Sequence, residues 1–261
     1  MAETVELERD GQIAKLSLNR PDVYNVLDFD LVESLASHLM ALSVDNNVRG
    51  IVISGRGKAF CAGGDLKWLL SFPQGPSAGA HELAARFHQA ILEIRRMSKP
   101  VIAAINGMAF GGGLSLALAC DFRVMARSAM LREAYNSRGL CIDGGGTFTL
   151  PRLVGLARAL EIIAFDRPIS SKQALAWGLT TKVVEDKHAL EEAINMAREL
   201  AMGSLSSFGW AKQLLTDSFN TAFEVHLERE RAGICSSAAH PDGQEGMRAF
   251  VEKREPVFNT G

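Results

Sequence analysis

The chain has 261 residues, 47% of them hydrophobic and 22% charged, and its formal net charge is −2. This composition is typical of a globular protein with a substantial core, and it predicts one large domain or a domain with a small appendage. No long run of Lys and Arg is present, which argues against nucleic acid or an anionic membrane as a partner. No apolar stretch approaches the roughly 20 residues of a membrane-spanning helix, and residues 1–10 are too acidic for a targeting peptide, so a cytoplasmic location is expected.

The first predicted element is a β-hairpin, because apolar and polar residues alternate over residues 5–8 and 13–18 around the turn Asp10-Gly11. Apolar residues at helical spacing predict a helix over residues 28–42, and a β-branched run predicts a buried strand over residues 48–54. The chain therefore begins with a β-β-α-β order.

Residues 71–79 are rich in Pro, Gly and Ser and predict a mobile loop outside the packed body. A helix with one apolar stripe follows, and that stripe consists of Leu83, Phe87, Ile91 and Ile94. Lys99-Pro100 ends this helix, and the apolar strand over residues 101–105 leads directly into glycines.

Beyond Thr147 the sequence favours helices, with one further strand over residues 181–184. The last four predicted helices cover residues 189–201, 208–215, 222–232 and 243–253. The simplest organisation is an α/β body over residues 1–200 and a helical C-terminal region over residues 201–261.

The spacing of the cysteines and histidines predicts neither a disulfide framework nor a metal site. The four cysteines (Cys61, Cys120, Cys141 and Cys235) are far apart and form no C-x-x-C pair, so neither a disulfide framework nor a zinc site is expected. The histidines show no ligand spacing, and no metal is expected.

Two glycine-rich turns carry the first candidate chemistry, and each follows an apolar strand. One runs from Ala59 to Asp65 (AFCAGGD), and the other begins at Asn106-Gly107 and continues through Gly111-Gly112-Gly113. A glycine turn that opens a helix leaves unpaired N–H groups aimed at one point, which suits an anion or a developing oxyanion. Neither turn has the spacing of a dinucleotide fingerprint or a P-loop, and either one alone is more typical of tight packing.

Five segments together resemble the crotonase, or enoyl-CoA hydratase/isomerase, superfamily, and they keep its order along almost the whole chain. They are NRPDVYNVL (19–27), VRGIVISGRGKAFCAGGDL (48–66), KPVIAAINGMAFGGGLSLALACD (99–121), GGGTFTLPRLVG (144–155) and EGMRAFVEKREPVF (245–258). The resemblance implies a spiral of β-β-α units with a helical C-terminal trimerisation region, assembled as a trimer or a dimer of trimers.

The same resemblance implies an acyl-CoA thioester as substrate, with no cofactor beyond the coenzyme A that the substrate carries. It assigns Gly64 and Gly112 as the backbone donors of an oxyanion hole, each of which stabilises the developing charge by roughly 3–4 kcal/mol. It also places Ala62, Asp65 and Leu66 at the substrate. Lys253, on the terminal helix, falls where the family covers the coenzyme A of a neighbouring subunit, although a solvated helix end is equally typical of such a residue.

The sequence departs from hydratases of this family, which use two glutamates to activate water and deliver a proton. Ser115 and Tyr135 occupy those positions. A serine and a tyrosine of ordinary pKa are poor substitutes for paired carboxylates, which argues against simple hydration. Glu133 lies two residues from the second position, an offset that directs its side chain elsewhere.

Asp143 is the candidate acid–base residue, because it matches an aspartate of the family members that move double bonds along an acyl chain. As an alternative, an aspartate that precedes a glycine-rich helix start is a typical N-cap. His88 matches a histidine of the related 4-chlorobenzoyl-CoA dehalogenase, whose nucleophilic aspartate corresponds to Asp143. A histidine that merely flanks an apolar helix face is the structural alternative for His88.

These residues favour an enoyl-CoA isomerase in which Asp143 moves a proton while Gly64 and Gly112 hold the dienolate oxygen. Hydrolysis of an aryl- or acyl-CoA through Asp143 and His88, enoyl-CoA hydration, and coenzyme A binding without catalysis remain alternatives. The expected pocket wall is apolar and aromatic, typical of a medium-chain or aryl acyl group. Its members are Trp68, Leu69, Phe72, Leu83, Phe87, Phe110 and Tyr135.

Overall fold

The structure is a computed structural model that describes residues 3–258. It confirms the hairpin predicted at the start of the chain. Strand β1 (Val5–Asp10) pairs antiparallel with β2 (Ile13–Leu18) around Gly11, whose φ of +59° is a left-handed value that glycine adopts without strain. The remaining strands are β3 (Gly50–Gly55), β4 (Ala59–Cys61), β5 (Val101–Ile105), β6 (Met108–Phe110), β7 (Phe122–Ala126), β8 (Met130–Arg132), β9 (Ile169–Ser170) and β10 (Lys182–Val184).

The helices surround these strands and dominate the second half of the chain. They are α1 (Phe29–Val44), α2 (Leu66–Leu70), α3 (Pro76–Arg96), α4 (Gly112–Ala119), α5 (Gly146–Val154), α6 (Leu156–Phe165), α7 (Ser171–Ala176), α8 (Ala189–Ala201), α9 (Leu205–Asp217), α10 (Phe223–Ala239) and α11 (Pro241–Glu252). All four predicted C-terminal helices are confirmed, and α10 extends seven residues beyond its predicted end at residue 232. Within residues 3–258, no helix has the length and apolar character needed to cross a membrane.

Two sheets form in a repeating pattern. The larger has the order β1-β2-β3-β5-β7-β10, and the smaller has the order β4-β6-β8-β9. Each of the pairs β3–β4, β5–β6 and β7–β8 therefore contributes its first strand to the large sheet and its second to the small one. Neighbouring repeats pair in parallel in both sheets, as in Ile51 with Val101 and Ala59 with Met108. The result is the spiral of β-β-α units that the resemblance implies.

The large sheet is covered on both faces, which explains the uninterrupted apolar character of its central strands. All residues of β5 are buried, as are the first five residues of β3. Parallel strands of this kind are typical of sheets with helices on both sides. The stripe on α3 is buried as predicted, with Phe87 and Ile94 almost inaccessible.

The predicted mobile loop over residues 71–79 is wrong in its second half, because α3 already begins at Pro76. Proline is well suited to the first turn of a helix, where its missing N–H group costs nothing. Gly79 is buried against Phe72, and a Cβ at Gly79 would lie 2.9 Å from the Phe72 ring. The glycine that signalled a loop instead permits close packing.

The C-terminal helices differ in how they meet the α/β body. Lys212 on α9 pairs with Asp121 at 2.7 Å, and both side chains are buried. This contact joins α9 to the body, whereas the division of the chain at residue 200 stays a prediction. On α10 and α11, large apolar side chains are exposed in the single chain, including Phe223, Ile234, Phe250 and Val251.

We expect these exposed apolar side chains to be covered by association into a trimer or a dimer of trimers. Light scattering at micromolar concentration should give three or six times the chain mass of 28.2 kDa. Phe250→Glu, at an 85% exposed position, should weaken the assembly, whereas Val44→Glu, at a 79% exposed position on α1, should leave it intact. A monodisperse species of one chain mass would contradict the expectation.

Candidate active site

The two glycine turns meet because β4 and β6, the strands that precede them, are parallel neighbours in the small sheet. Gly63 has a φ of +103°, and a Cβ at this position would lie 3.1 Å from the Phe110 carbonyl oxygen and 3.6 Å from the Gly112 nitrogen. Only glycine permits this approach. The close contact of the two turns is therefore encoded by Gly63.

The backbone holds the first turn on both sides of Gly64. The Leu27 N–H group donates to the Gly63 carbonyl (2.7 Å), and the Asp65 N–H group donates to the Leu27 carbonyl (2.8 Å). Gly112 is the first residue of α4, where N–H groups have no partner within the helix. Within residues 3–258, neither Gly64 N–H nor Gly112 N–H donates a hydrogen bond, so both donors are available to a ligand.

A cavity of about 540 Å³ opens in front of these glycines. Its wall includes several residues that the sequence predicts: Ala62, Gly64, Leu66, Leu69, Leu83, Phe87, Phe110, Gly112, Tyr135 and Asp143. Within the described part of the chain, Asp143 is the one acidic residue of this wall. A carboxylate thus shares an otherwise mostly apolar cavity with two unpaired backbone donors.

Three predicted substrate-binding residues (Asp65, Trp68 and Lys253) and one further predicted wall residue (Phe72) lie outside this wall. Asp65 caps α2, since its carboxylate accepts from Lys67 N and Trp68 N, and it also pairs with Arg20 at 3.2 Å. Trp68 packs against Phe72, with ring centroids 5.0 Å apart. Lys253 follows α11 and is exposed. Its predicted contact requires a neighbouring subunit and stays a prediction.

The turn that carries Asp143 is held from three sides. The Tyr135 hydroxyl donates a short hydrogen bond to Asp143 Oδ1. The Ser115 hydroxyl donates to the Asp143 carbonyl oxygen at 2.8 Å, and the Gly144 N–H group donates to His88 Nε2 at 3.1 Å. Ser115 and Tyr135, which the resemblance places at the positions of the hydratase glutamates, thus both bind Asp143.

Gly144 is required for this turn, because its φ is +61° and a Cβ would lie 2.3 Å from Phe87 Cε1. Helix α5 begins at Gly146, and its N-cap is Gly145, which has no capping side chain. The N-cap interpretation of Asp143 is therefore wrong: the chain turns through two left-handed glycines before the helix starts, and the Asp143 carboxylate is directed to Tyr135 instead.

Tyr135 lies beside Gly112, one of the two glycines with a free N–H group. Its hydroxyl is 3.5 Å from the point that a Cβ on Gly112 would occupy. Burial raises the pKa of Tyr135 far above its ordinary value, and the neighbouring Asp143 carboxylate raises it further. Tyr135 is consequently a neutral hydrogen-bond donor at physiological pH.

His88 lies on the exposed side of α3 and is not part of the cavity wall. Because its Nε2 accepts from Gly144 N–H, the neutral ring carries its proton on Nδ1. The nitrogen nearest the Asp143 turn is therefore engaged by the backbone. The sequence does not reveal this contact, since a backbone N–H group has no residue signature.

Glu133 lies behind the site, buried and outside the cavity wall. Within residues 3–258, neither of its carboxyl oxygens has a hydrogen-bond partner. Burial raises the pKa of Glu133 to about 7, and the carboxylate of Asp166 adds to this effect. Asp166 itself accepts from Ala134 N at 2.7 Å and pairs with Arg132 at 3.2 Å.

Comparison with known proteins agrees with the resemblance. Residues 8–261 match the family model described as enoyl-CoA hydratase/isomerase. The chain is 34% identical to the 1,2-epoxyphenylacetyl-CoA isomerase of Escherichia coli (strain K12), over 94% of each protein. It is 36% identical to a probable enoyl-CoA hydratase of Bacillus subtilis (strain 168), over 97% of this chain and 98% of that protein.

Solved structures show the same fold. The crystal structure of an enoyl-CoA hydratase from Polaromonas sp. JS666 superposes with a TM-score of 0.92 at 34% identity, and the match covers 98% of this chain and 99% of that one. An enoyl-CoA hydratase from Bacillus anthracis gives a TM-score of 0.91 at 33% identity, over 99% of this chain and all of that chain.

Glu133 should make the stability of the protein depend on pH. Its folded pKa of about 7 lies above the ordinary value of 4.5, so its contribution is fully present below pH 4.5 and is lost as the pH rises through 7. The difference corresponds to about 3 kcal/mol. Between pH 4.5 and 8, the wild type should therefore lose about 3 kcal/mol of unfolding free energy relative to Glu133→Gln, measured by denaturant titration.

Glu82→Gln, at an exposed position on α3, is the control and should follow the wild type at every pH. If Glu133→Gln and the wild type changed in parallel over this pH range, Glu133 would not be the buried acid that the structure describes.

Proposed function

Because the chain belongs to the enoyl-CoA hydratase/isomerase family, we propose that it isomerises the double bond of an enoyl-CoA. In this reaction, Asp143 removes a proton from one carbon of the acyl chain and returns it to another. The Gly64 and Gly112 N–H groups hold the thioester oxygen, which carries the negative charge of the intermediate dienolate. No proton is gained or lost overall, so one carboxylate suffices.

One observation supports this proposal above the others: the single acidic residue of the cavity wall in the described chain faces the same space as the two free backbone donors. Asp143 Oδ1 accepts from Tyr135, and within residues 3–258 Oδ2 has no hydrogen-bond partner. The proposal assigns proton transfer to Oδ2. Tyr135 then fixes the orientation of the carboxylate through its hydrogen bond to Oδ1.

Hydration is less well supported, because it needs one group to activate water and another to deliver a proton. The Ser115 hydroxyl is engaged by the Asp143 carbonyl, and burial keeps Tyr135 neutral. Neither residue can serve as a general base near neutral pH. Asp143 would have to perform both tasks, at the two different carbons of the reacting double bond.

Hydrolysis through an acyl or aryl ester on Asp143 requires a base that activates water. His88 was the candidate for this role, but its Nε2 accepts from Gly144 N–H. Its contact instead favours a structural task, in which His88 holds the turn that presents Asp143. We therefore propose His88 as a positioning residue.

We further propose that the substrate is an acyl-CoA thioester and that the reaction needs no cofactor beyond the coenzyme A of that substrate. Proton transfer with oxyanion stabilisation involves no redox step. Ala62, Leu66, Phe87 and Phe110 would line the bound thioester, since all four belong to the cavity wall.

Asp143→Asn should leave the affinity for a saturated acyl-CoA within a few-fold but lower isomerisation by about a hundredfold, the scale of a lost general base. The assay is the conversion of a 3-enoyl-CoA into its conjugated 2-enoyl isomer, followed by ultraviolet absorbance, with mass spectrometry of the products. Tyr135→Phe retains the carboxylate and should cause a smaller loss. The control is Asp186→Asn, an exposed aspartate outside the cavity wall.

The same assay separates the alternatives. Addition of solvent oxygen to the product would indicate hydration. An ester trapped on Asp143, especially one that accumulates in His88→Ala, would indicate hydrolysis. Isomerisation that persists unchanged in Asp143→Asn would overturn the proposed role of Asp143.

Gly112→Val should lower turnover by about a hundredfold, because its side chain would occupy the space in front of the N–H donor. Even the first atom of that side chain would lie 2.9 Å from Leu27 Cδ1. Gly246→Ala on α11, where a Cβ has ordinary contacts of 3.5 Å or more, is the control for a helical glycine. Equal turnover in Gly112→Val and the wild type would remove Gly112 from the oxyanion hole.

A further inference from the structure

Two arginines belong to the cavity wall, and they differ in their partners. Arg132 is neutralised by Asp166, whose carboxylate lies 3.2 Å from Arg132 Nε. The Arg138 guanidinium donates only to the carbonyl oxygen of Ser137 (3.3 Å) and its hydroxyl (3.1 Å). Within residues 3–258, no carboxylate lies within 4 Å of Arg138. It is therefore a cation of the cavity wall without an acidic partner.

The lack of a partner sets Arg138 apart from many surface arginines of this protein. Arg9 pairs with Asp45, Arg56 with Glu6 and Glu8, and Arg254 with Glu245. Exposed arginines usually find such neighbours in a chain with 30 acidic residues. A guanidinium without an acidic partner, in the wall of an otherwise mostly apolar cavity, is suited to bind an anionic group of a ligand.

The backbone places Arg138 on the same short turn as the catalytic candidates. Arg138 N and Leu140 N both donate to the Tyr135 carbonyl oxygen, at 2.8 and 3.2 Å. Gly139, with a φ of +69°, completes the turn. Arg138 is thus three residues from Tyr135 and five from Asp143, on the wall that the proposed reaction assigns to the acyl carbons.

We infer that Arg138 binds a carboxylate at the far end of the acyl group, so that the preferred substrates are monothioesters of dicarboxylic acids. This inference rests on the proposed function, because Asp143 defines the acyl side of the cavity. A guanidinium matches a carboxylate through two parallel hydrogen bonds. Leu83 and Phe87 of the wall suit the apolar middle of such a chain.

The exposure of Arg138 is compatible with this role. Because Arg138 is exposed, both its guanidinium and a bound carboxylate keep part of their hydration, so the ion pair forms without the large desolvation cost of a buried pair. A purely apolar acyl chain would gain nothing from Arg138. The residue therefore determines selectivity between acyl groups of equal length.

The test is a comparison of binding by titration calorimetry, with saturated thioesters that cannot isomerise. Adipoyl-CoA and suberoyl-CoA carry a terminal carboxylate, and hexanoyl-CoA and octanoyl-CoA are their methyl-ended counterparts. The wild type should bind at least one dicarboxylic thioester about tenfold more tightly than its counterpart. Arg138→Gln should abolish this preference while leaving the affinity for hexanoyl-CoA and octanoyl-CoA unchanged.

Two further variants sharpen the result. Arg138→Lys keeps the charge without the planar fork and should retain part of the preference. Arg167→Gln removes an exposed arginine outside the cavity wall and should retain all of it. Within residues 3–258, the Arg138 side chain is hydrogen-bonded to Ser137 alone and is exposed, so Arg138→Gln should fold normally, as circular dichroism would verify.

A phosphate of coenzyme A is the other anion that Arg138 could meet. If Arg138→Gln weakened all four thioesters equally, and adipoyl-pantetheine bound without dependence on Arg138, the phosphate would be its ligand and the inference would be overturned. No preference for dicarboxylic thioesters in the wild type would overturn it as well. Because binding alone is measured, the inference can survive a failure of isomerisation, and the reverse also holds.

Discussion

The parallel pairing of β4 with β6 is the contact on which the site depends. It brings the ends of two strands from successive β-β-α units side by side, and it places Gly63 against Phe110 and Gly112. The separation of the two donors is consequently fixed by strand spacing rather than by side-chain rotamers. The loop that carries Tyr135 and Asp143 extends from β8, the next strand of the same sheet. The two free N–H groups and the Asp143 carboxylate thus all follow the carboxyl ends of neighbouring parallel strands in the small sheet.

On this fold, the carboxylate can come from a different position of the chain while the two backbone N–H donors keep their place. The resemblance places Ser115 and Tyr135 at the positions of the hydratase glutamates, and in this structure both side chains bind Asp143. A hydroxyl at the position of a carboxylate is a poor general base, but unlike the carboxylate it can donate a hydrogen bond. The same two positions can therefore support a third residue's chemistry. In the proposed reaction, the two free N–H groups would keep their task while Asp143, supported by Ser115 and Tyr135, carries the proton.

Most elements could be predicted from the sequence, because they depend on local patterns: alternation in β1 and β2, helical spacing in α3, and an apolar run in β5. Prediction failed over residues 76–79, where Pro76 and Gly79 have the composition of a loop but serve a helix start and a close packing contact. The candidate site residues came from the resemblance. The hydrogen bonds that hold these residues in place could not be predicted, because they join Asp143 to Ser115, 28 positions away, and Gly144 to His88, 56 positions away. The unpaired state of Glu133 depends on burial by distant segments, and residue order alone does not encode it.

Helix α4 gives the oxyanion site a further property. Every residue from Gly112 to Ala119 is buried, so the helix that presents the second donor has no solvated face. The Gly112 N–H group faces the cavity, but the hydrogen-bonded amides from Leu114 onwards can exchange with solvent only when the surrounding core opens, at a cost that approaches that of global unfolding. The turn from Asn136 to Leu140, by contrast, is solvent-exposed. The cavity is therefore bordered on one side by a helix without a solvated face, which holds the Gly112 N–H group in place, and on the other by a turn that is open to solvent.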